Sequence, residues 1–205
     1  MRVILSRHAP CQGNREHRYV GCRTDEPLCE DGLVQARAWA LLIKPVLASE
    51  GITAPKDVYV SPMRRVCQTA ATLYPQANLV EVNDLREMDF GDFEGRSAQE
   101  MADDASYRAW VDGMCEGACP NGESRTQFIS RTCGAFESLL FATRDREEEN
   151  LFVCAHGGTL MAIMSAYAKP SRSYFDWHVG PCHGFICTVE FLDNQNFSLV
   201  DVKTI

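Results

Sequence analysis

The chain of 205 residues contains no apolar run approaching the roughly 18 residues that a membrane-spanning helix requires, so a helical membrane protein is excluded. It has no basic excess either: 20 lysines and arginines stand against 28 aspartates and glutamates, a formal charge of −8. A general binder of nucleic acid or anionic membrane needs a basic face, and the net charge argues against one. A small phosphorylated ligand makes a lesser demand, which a few local arginines meet. After Met1-Arg2 the chain enters a short apolar stretch and then polar residues, without the apolar region of a signal peptide, so a cytoplasmic location is expected. No internal repeat, low-complexity tract or linker breaks the sequence, which is read as one domain over residues 1–205. Ten cysteines lie at 11, 22, 29, 67, 115, 119, 133, 154, 182 and 187, but the paired CxxC sets of a structural zinc site are missing. Disulfide frameworks belong to short secreted chains, so reduced thiols are expected, with Cys154 acting as a small buried hydrophobe. No metal ion and no cofactor is expected.

Local patterning predicts alternating strands and helices. Val3-Ile4-Leu5-Ser6 forms a first strand, and Leu33, Ala36, Ala40, Ile43 and Leu47 mark one face of a helix over 31–50 that Gly51 stops. Asp57 to Val60 is a second strand; Ser61-Pro62 then reads as an N-cap with proline at the first position of a helix reaching about Tyr74. A third strand over 79–82 precedes a structured loop from Leu85 to Gly95 and a polar helix over about 97–111. Ser124 to about Thr143 carries Phe128, Ile129, Thr132, Phe136, Leu139 and Leu140 on one face, a core-facing helix. Leu151 to Ala155 is a strand, followed after Gly157-Gly158 by a helix through about Tyr167, an irregular stretch, and strands over 185–191 and about 197–202 joined by a turn at Asp193-Asn194. The expected fold class is α/β: a three-layer α/β/α domain whose mostly parallel sheet is made mixed by a C-terminal antiparallel hairpin.

Two strands in this scheme end on histidines. Arg7-His8-Ala9 leaves the first, and His156-Gly157-Gly158 leaves the fourth, at the sheet edge where open α/β folds bind ligands. Two further segments complete a constellation: Ser61-Pro62-Met63-Arg64-Arg65-Val66-Cys67-Gln68-Thr69-Ala70, and the run from Leu85 to Gly95 that contains Glu87. Taken in order, the four segments resemble the histidine phosphatase superfamily, the phosphoglycerate mutase-like proteins. The resemblance implies a small phosphorylated substrate and a metal-independent phosphomonoesterase. His8 would be the nucleophile that forms a phosphohistidine, Arg7 and Arg65 the clamp on the phosphate, Glu87 the proton donor and His156 the stabiliser of the transferring group. Arginine suits the clamp because its planar fork holds phosphate oxygens in pairs and stays charged. Arg64 is read as a surface charge, and Gly157 as a contributor of backbone amides at a helix N-terminus.

The stretch from Asn14 to Gly32, with Arg18-Tyr19-Val20-Gly21-Cys22-Arg23-Thr24-Asp25-Glu26-Pro27-Leu28, is similar to a loop of bacterial α-ribazole phosphatases. That similarity implies a phosphate contact from Asn14, a pocket edge including Tyr19, Gly21 and Cys22, and α-ribazole 5′-phosphate, an intermediate of cobalamin assembly, as a substrate. Glu123 stands near the site or serves the turn that Ser124 caps. Phe90, Phe93, Tyr107 and Trp110 either line an apolar pocket or pack. Two departures stand out: Ala9 replaces a usual glycine, and Cys11 a usual threonine. The alternatives are a phosphoglycerate mutase within the same fold, or a non-catalytic phosphate-binding or thiol-dependent metal protein.

Overall fold

The computed structural model describes residues 1–205. Strand β1 (Arg2–Arg7) is followed by a single turn of helix, α1 (Gln12–Arg15), and by the long helix α2 (Glu30–Ser49). Next come β2 (Asp57–Val60), α3 (Arg64–Leu73), β3 (Asn78–Glu81), α4 (Ala105–Asp112), α5 (Arg125–Asp145), β4 (Asn150–Ala155), α6 (Gly157–Tyr167), β5 (Gly184–Phe191) and β6 (Phe197–Thr204). The six strands form one sheet in the order β3-β2-β4-β1-β5-β6. β1, β2, β3 and β4 run parallel, whereas β5 is antiparallel to β1 and forms the expected hairpin with β6.

Both faces of the sheet are covered, and the two-residue period of β1 shows how. Val3 and Leu5 point into a cluster with Phe136 and Leu140 of α5 and Leu160 and Ile163 of α6. Ile4, between them, points the other way, among Ile43 and Leu47 of α2 and Val66 and Ala70 of α3. Fully burying side chains of this size contributes about 1.5–3 kcal/mol each, so the strand is fixed from both sides. Its parallel register with β4 sets Arg7 opposite Ala155. His8 and His156, one residue further along each strand, therefore emerge side by side.

Two expected elements differ. The third helix starts at Arg64, not Pro62: its N-cap is Met63, and the first free amide, that of Arg64, donates to the Asp25 carboxylate at 2.7 Å. The Ser61 hydroxyl lies two residues before the helix cap, where it accepts from the Met63 amide at 3.5 Å and from His156 at 2.8 Å and reaches no amide of the helix. The polar helix expected over 97–111 is regular only from Ala105, where the Asp104 carboxylate accepts from the amides of Ser106 and Tyr107 and fixes the start. Residues before it form turns closed by Ser97 and Glu100.

Candidate active site

His8 is 4 % exposed and His156 is fully buried, with ring centroids 5.1 Å apart. The Ala9 carbonyl fixes the first ring: Nδ1 of His8 donates to it at 2.6 Å, which leaves the Nε2 lone pair free. Only the backbone of Ala9 is used, so alanine in a glycine's place keeps this contact, and its own amide donates to Thr69 Oγ1. On His156 an arginine nitrogen, which can only donate, settles the tautomer. Nη2 of Arg65 lies 3.3 Å from Nδ1, so Nδ1 accepts and Nε2–H donates to Ser61 Oγ at 2.8 Å. Burial, reinforced by the charge of Arg65, pushes both imidazoles well below their usual range, so both are neutral near pH 7.

Arg65 is fully buried, on the first turn of α3. Its terminal nitrogens donate to the carbonyls of Thr24 and Gly21, and no group of the protein meets its Nε. Arg7 repeats the pattern: Nη1 donates to the Val179 carbonyl, and its buried Nε is likewise without a partner. A buried unpaired donor is costly, and the site holds two, both on permanent cations. Glu87 completes the group. One carboxylate oxygen accepts from the Gly158 amide at 2.9 Å and the other from the Met88 amide at 3.0 Å. Burial raises its pKa against the pull of those amides and of Arg65 and Arg7. A Cβ on Gly158 would lie 2.1 Å from a Glu87 oxygen and force that carboxylate to shift, whereas one on Gly157 would lie 3.2 Å from the Arg7 guanidinium, a tight contact.

Five of the residues singled out in the sequence, Arg7, His8, Arg65, Glu87 and His156, thus converge. Others sit behind them. Asn14 uses its side-chain oxygen on Cys11, accepting from the amide and the thiol. Gly21 lends its carbonyl to Arg65 and its amide to Glu94, while Cys22 lies against Asp89 and Glu94; neither lines the adjoining cavity. Glu123 ion-pairs with Arg131 and accepts from the Asp89 amide, and Ser124 caps α5, so both serve structure. The Cys22, Asp89 and Glu94 ligand atoms lie within 4.8 Å of one another. Their carboxylates are occupied, Asp89 by Arg23 and Glu94 by the amides of Gly21 and Arg23 and the Thr24 hydroxyl, so the cluster acts as a loop clasp. All ten cysteines are free thiols, six of them buried, Cys154 among them.

A cavity of about 270 Å³ opens from Arg7, Glu87 and Gly157. Tyr19, Phe90 and Trp110 line it, whereas Phe93 and Tyr107 are buried packing residues. Sequence reasoning missed other groups around the site, four of which bear on its geometry. Ser61 orients His156, His178 accepts from Arg7 Nη1 at 3.3 Å, and Tyr174 and Phe175 form the far wall. The last three come from the stretch between α6 and β5, which carries no periodic signal.

The fold and this cluster define a phosphatase of the histidine type. The chain belongs to the histidine phosphatase superfamily (branch 1), whose model matches residues 3–202. A Hydrogenobacter thermophilus protein assigned as a phosphoserine phosphatase is 33% identical over 168 residues, covering 80% of this chain and 76% of that protein. A 2,3-bisphosphoglycerate-dependent phosphoglycerate mutase of Gloeobacter violaceus is 28% identical, covering 79% of this chain and 73% of its own length. The solved structure of the α-ribazole phosphatase from Shigella flexneri superposes with a TM-score of 0.77 at 25% identity, covering 97% of this chain and 94% of that one. No helix is long and apolar enough to cross a membrane.

Proposed function

We propose that residues 1–205 act as one cytoplasmic domain that hydrolyses small phosphomonoesters, without a metal, through a phosphohistidine on His8. The observation that carries this reading is the pair of buried, unpartnered Nε donors on Arg7 and Arg65 beside a neutral His8 whose Nδ1 is already committed. A phosphate dianion satisfies both donors and offsets the cost of burying the two cations. His8 Nε2 attacks phosphorus as the ester P–O bond breaks, and Glu87 gives its proton to the leaving alkoxide. Glu87 then takes a proton from water, which attacks the phosphohistidine and releases inorganic phosphate and free His8. The arginines counter the charge of the dianion throughout. His156 reaches a phosphate oxygen as donor once Arg65 turns from it to the phosphate and the proton moves to Nδ1, with the Ser61 hydroxyl switching from acceptor to donor.

Hydrolysis is favoured over mutase chemistry because the segment between Gly95 and Ser124 is short, leaving no insertion to seal the site against water. Within the substrate class we propose α-ribazole 5′-phosphate, supported by the Asn14 to Gly32 loop and by the apolar walls of the cavity. The test is phosphate release from α-ribazole 5′-phosphate, sugar phosphates and 3-phosphoglycerate after dialysis against EDTA. Activity is expected to survive chelation, to disappear in His8→Ala, and to favour α-ribazole 5′-phosphate. Equal rates across the panel would refute the substrate, and loss on chelation the metal independence.

A further inference from the structure

The walls of the cavity carry information about the rest of the substrate. Phe90, Trp110, Met161, Tyr174 and Phe175 are among its apolar lining residues, and apart from Arg7 the lining holds one further permanent cation, Arg125. That cation is already matched. Arg125, the first residue of α5, forms an ion pair with Glu116 and donates from Nη1 to the Met114 carbonyl at 2.9 Å. Its guanidinium carbon lies 5.3 Å from the Tyr174 ring centroid and 5.6 Å from that of Phe175. The charge is therefore neutralised by a carboxylate and shared with two ring faces. His178, the other basic group in the lining, is held below the usual imidazole range by burial and by Arg7. A substrate with a second anion would find in the cavity lining no cation beyond Arg7 that is not already paired with a carboxylate. An uncharged ring would find aromatic walls.

We infer that this cavity selects phosphomonoesters whose alcohol carries an uncharged aromatic group, with the Arg125–Glu116 pair excluding a second anion. The inference rests on the phosphatase reading above, yet it fails separately from it. Three primary-alcohol monoesters of similar leaving-group reactivity separate the effects: propyl phosphate, 2-phenylethyl phosphate and 3-(phosphonooxy)propanoate. In the unaltered protein, kcat/KM for the phenylethyl ester is expected to exceed that for the propyl ester by about tenfold or more, with the propanoate slowest. Glu116 is 68% exposed, so Glu116→Gln removes a charge without opening the core. That variant is expected to raise the propanoate-to-propyl ratio about three- to tenfold, by freeing Arg125. A propanoate rate equal to or above the phenylethyl rate overturns the inference, as does an unchanged ratio in Glu116→Gln. Release of phosphate from none of the three above the His8→Ala background overturns the phosphatase reading as well.

Discussion

His8, His156 and Glu87 are all titratable, all buried, and shifted in opposite directions by the same burial. The sign matters for stability. An unfolded histidine takes up a proton near pH 6.5, whereas both folded imidazoles resist it until well below that. Their contribution is full above about pH 6.5 and is lost as pH falls, by up to about 1.4 kcal/mol per pH unit for each ring. Glu87 acts the other way: its raised pKa adds stability at low pH, which fades as pH rises from about 4.3 through its folded value. The melting temperature is therefore expected to fall less steeply from pH 8 to pH 5 in His8→Asn than in the unaltered protein; identical slopes would exclude the buried neutral imidazoles. Ser61 is the second residue to test. Removing its hydroxyl leaves His156 Nε2 without its buried partner, so Ser61→Ala is expected to lower kcat about tenfold or more with a smaller change in KM. An unchanged kcat would mean that the contact plays no part in turnover.

Among the elements, β1, β4 and α6 do most to build the site. Parallel pairing of β1 and β4 aligns the two histidines, and α6 begins at once, so the Gly158 amide reaches Glu87 from the helix start. Gly158→Ala would drive a methyl group into the Glu87 carboxylate, displacing the proposed proton donor while leaving His8, the proposed nucleophile, in place. Its effect should depend on the leaving group: hydrolysis of an alkyl phosphate is expected to fall by about 100-fold, and that of 4-nitrophenyl phosphate far less, because a good leaving group needs no proton. Equal losses on both esters would place Glu87 elsewhere in the mechanism.

The same elements show how much of the site was legible in the sequence. Arg7, His8 and His156 announce themselves because each follows an apolar strand run, and Arg65 follows from its place in the Ser61 to Ala70 segment. Ser61 was misread because a Ser-Pro pair before a helix has the signature of a cap, and nothing local shows that a residue 95 positions away claims the hydroxyl. Tyr174 and Phe175 were unreadable because they lie on an irregular stretch, and Arg125 because it meets them across the fold. Sheet type and hairpin were readable from strand periodicity; the spatial order of the strands is set by long-range packing.

For the molecule as a whole, an acidic chain of net charge −8 concentrates two buried arginines at one edge of its sheet. Burial lowers the pKa of both guanidiniums, yet both remain charged, and neither has a carboxylate bonded to it. That arrangement suits a dianion that is bound, transferred and released. The central claim is that the phosphoryl group passes through His8 Nε2. Rapid quenching of the enzyme with radiolabelled 4-nitrophenyl phosphate, followed by alkaline digestion mapping, tests it directly. The expected result is a single acid-labile, alkali-stable phosphoryl group on His8. Label on any other residue, or none while phosphate is released at full rate, would contradict it.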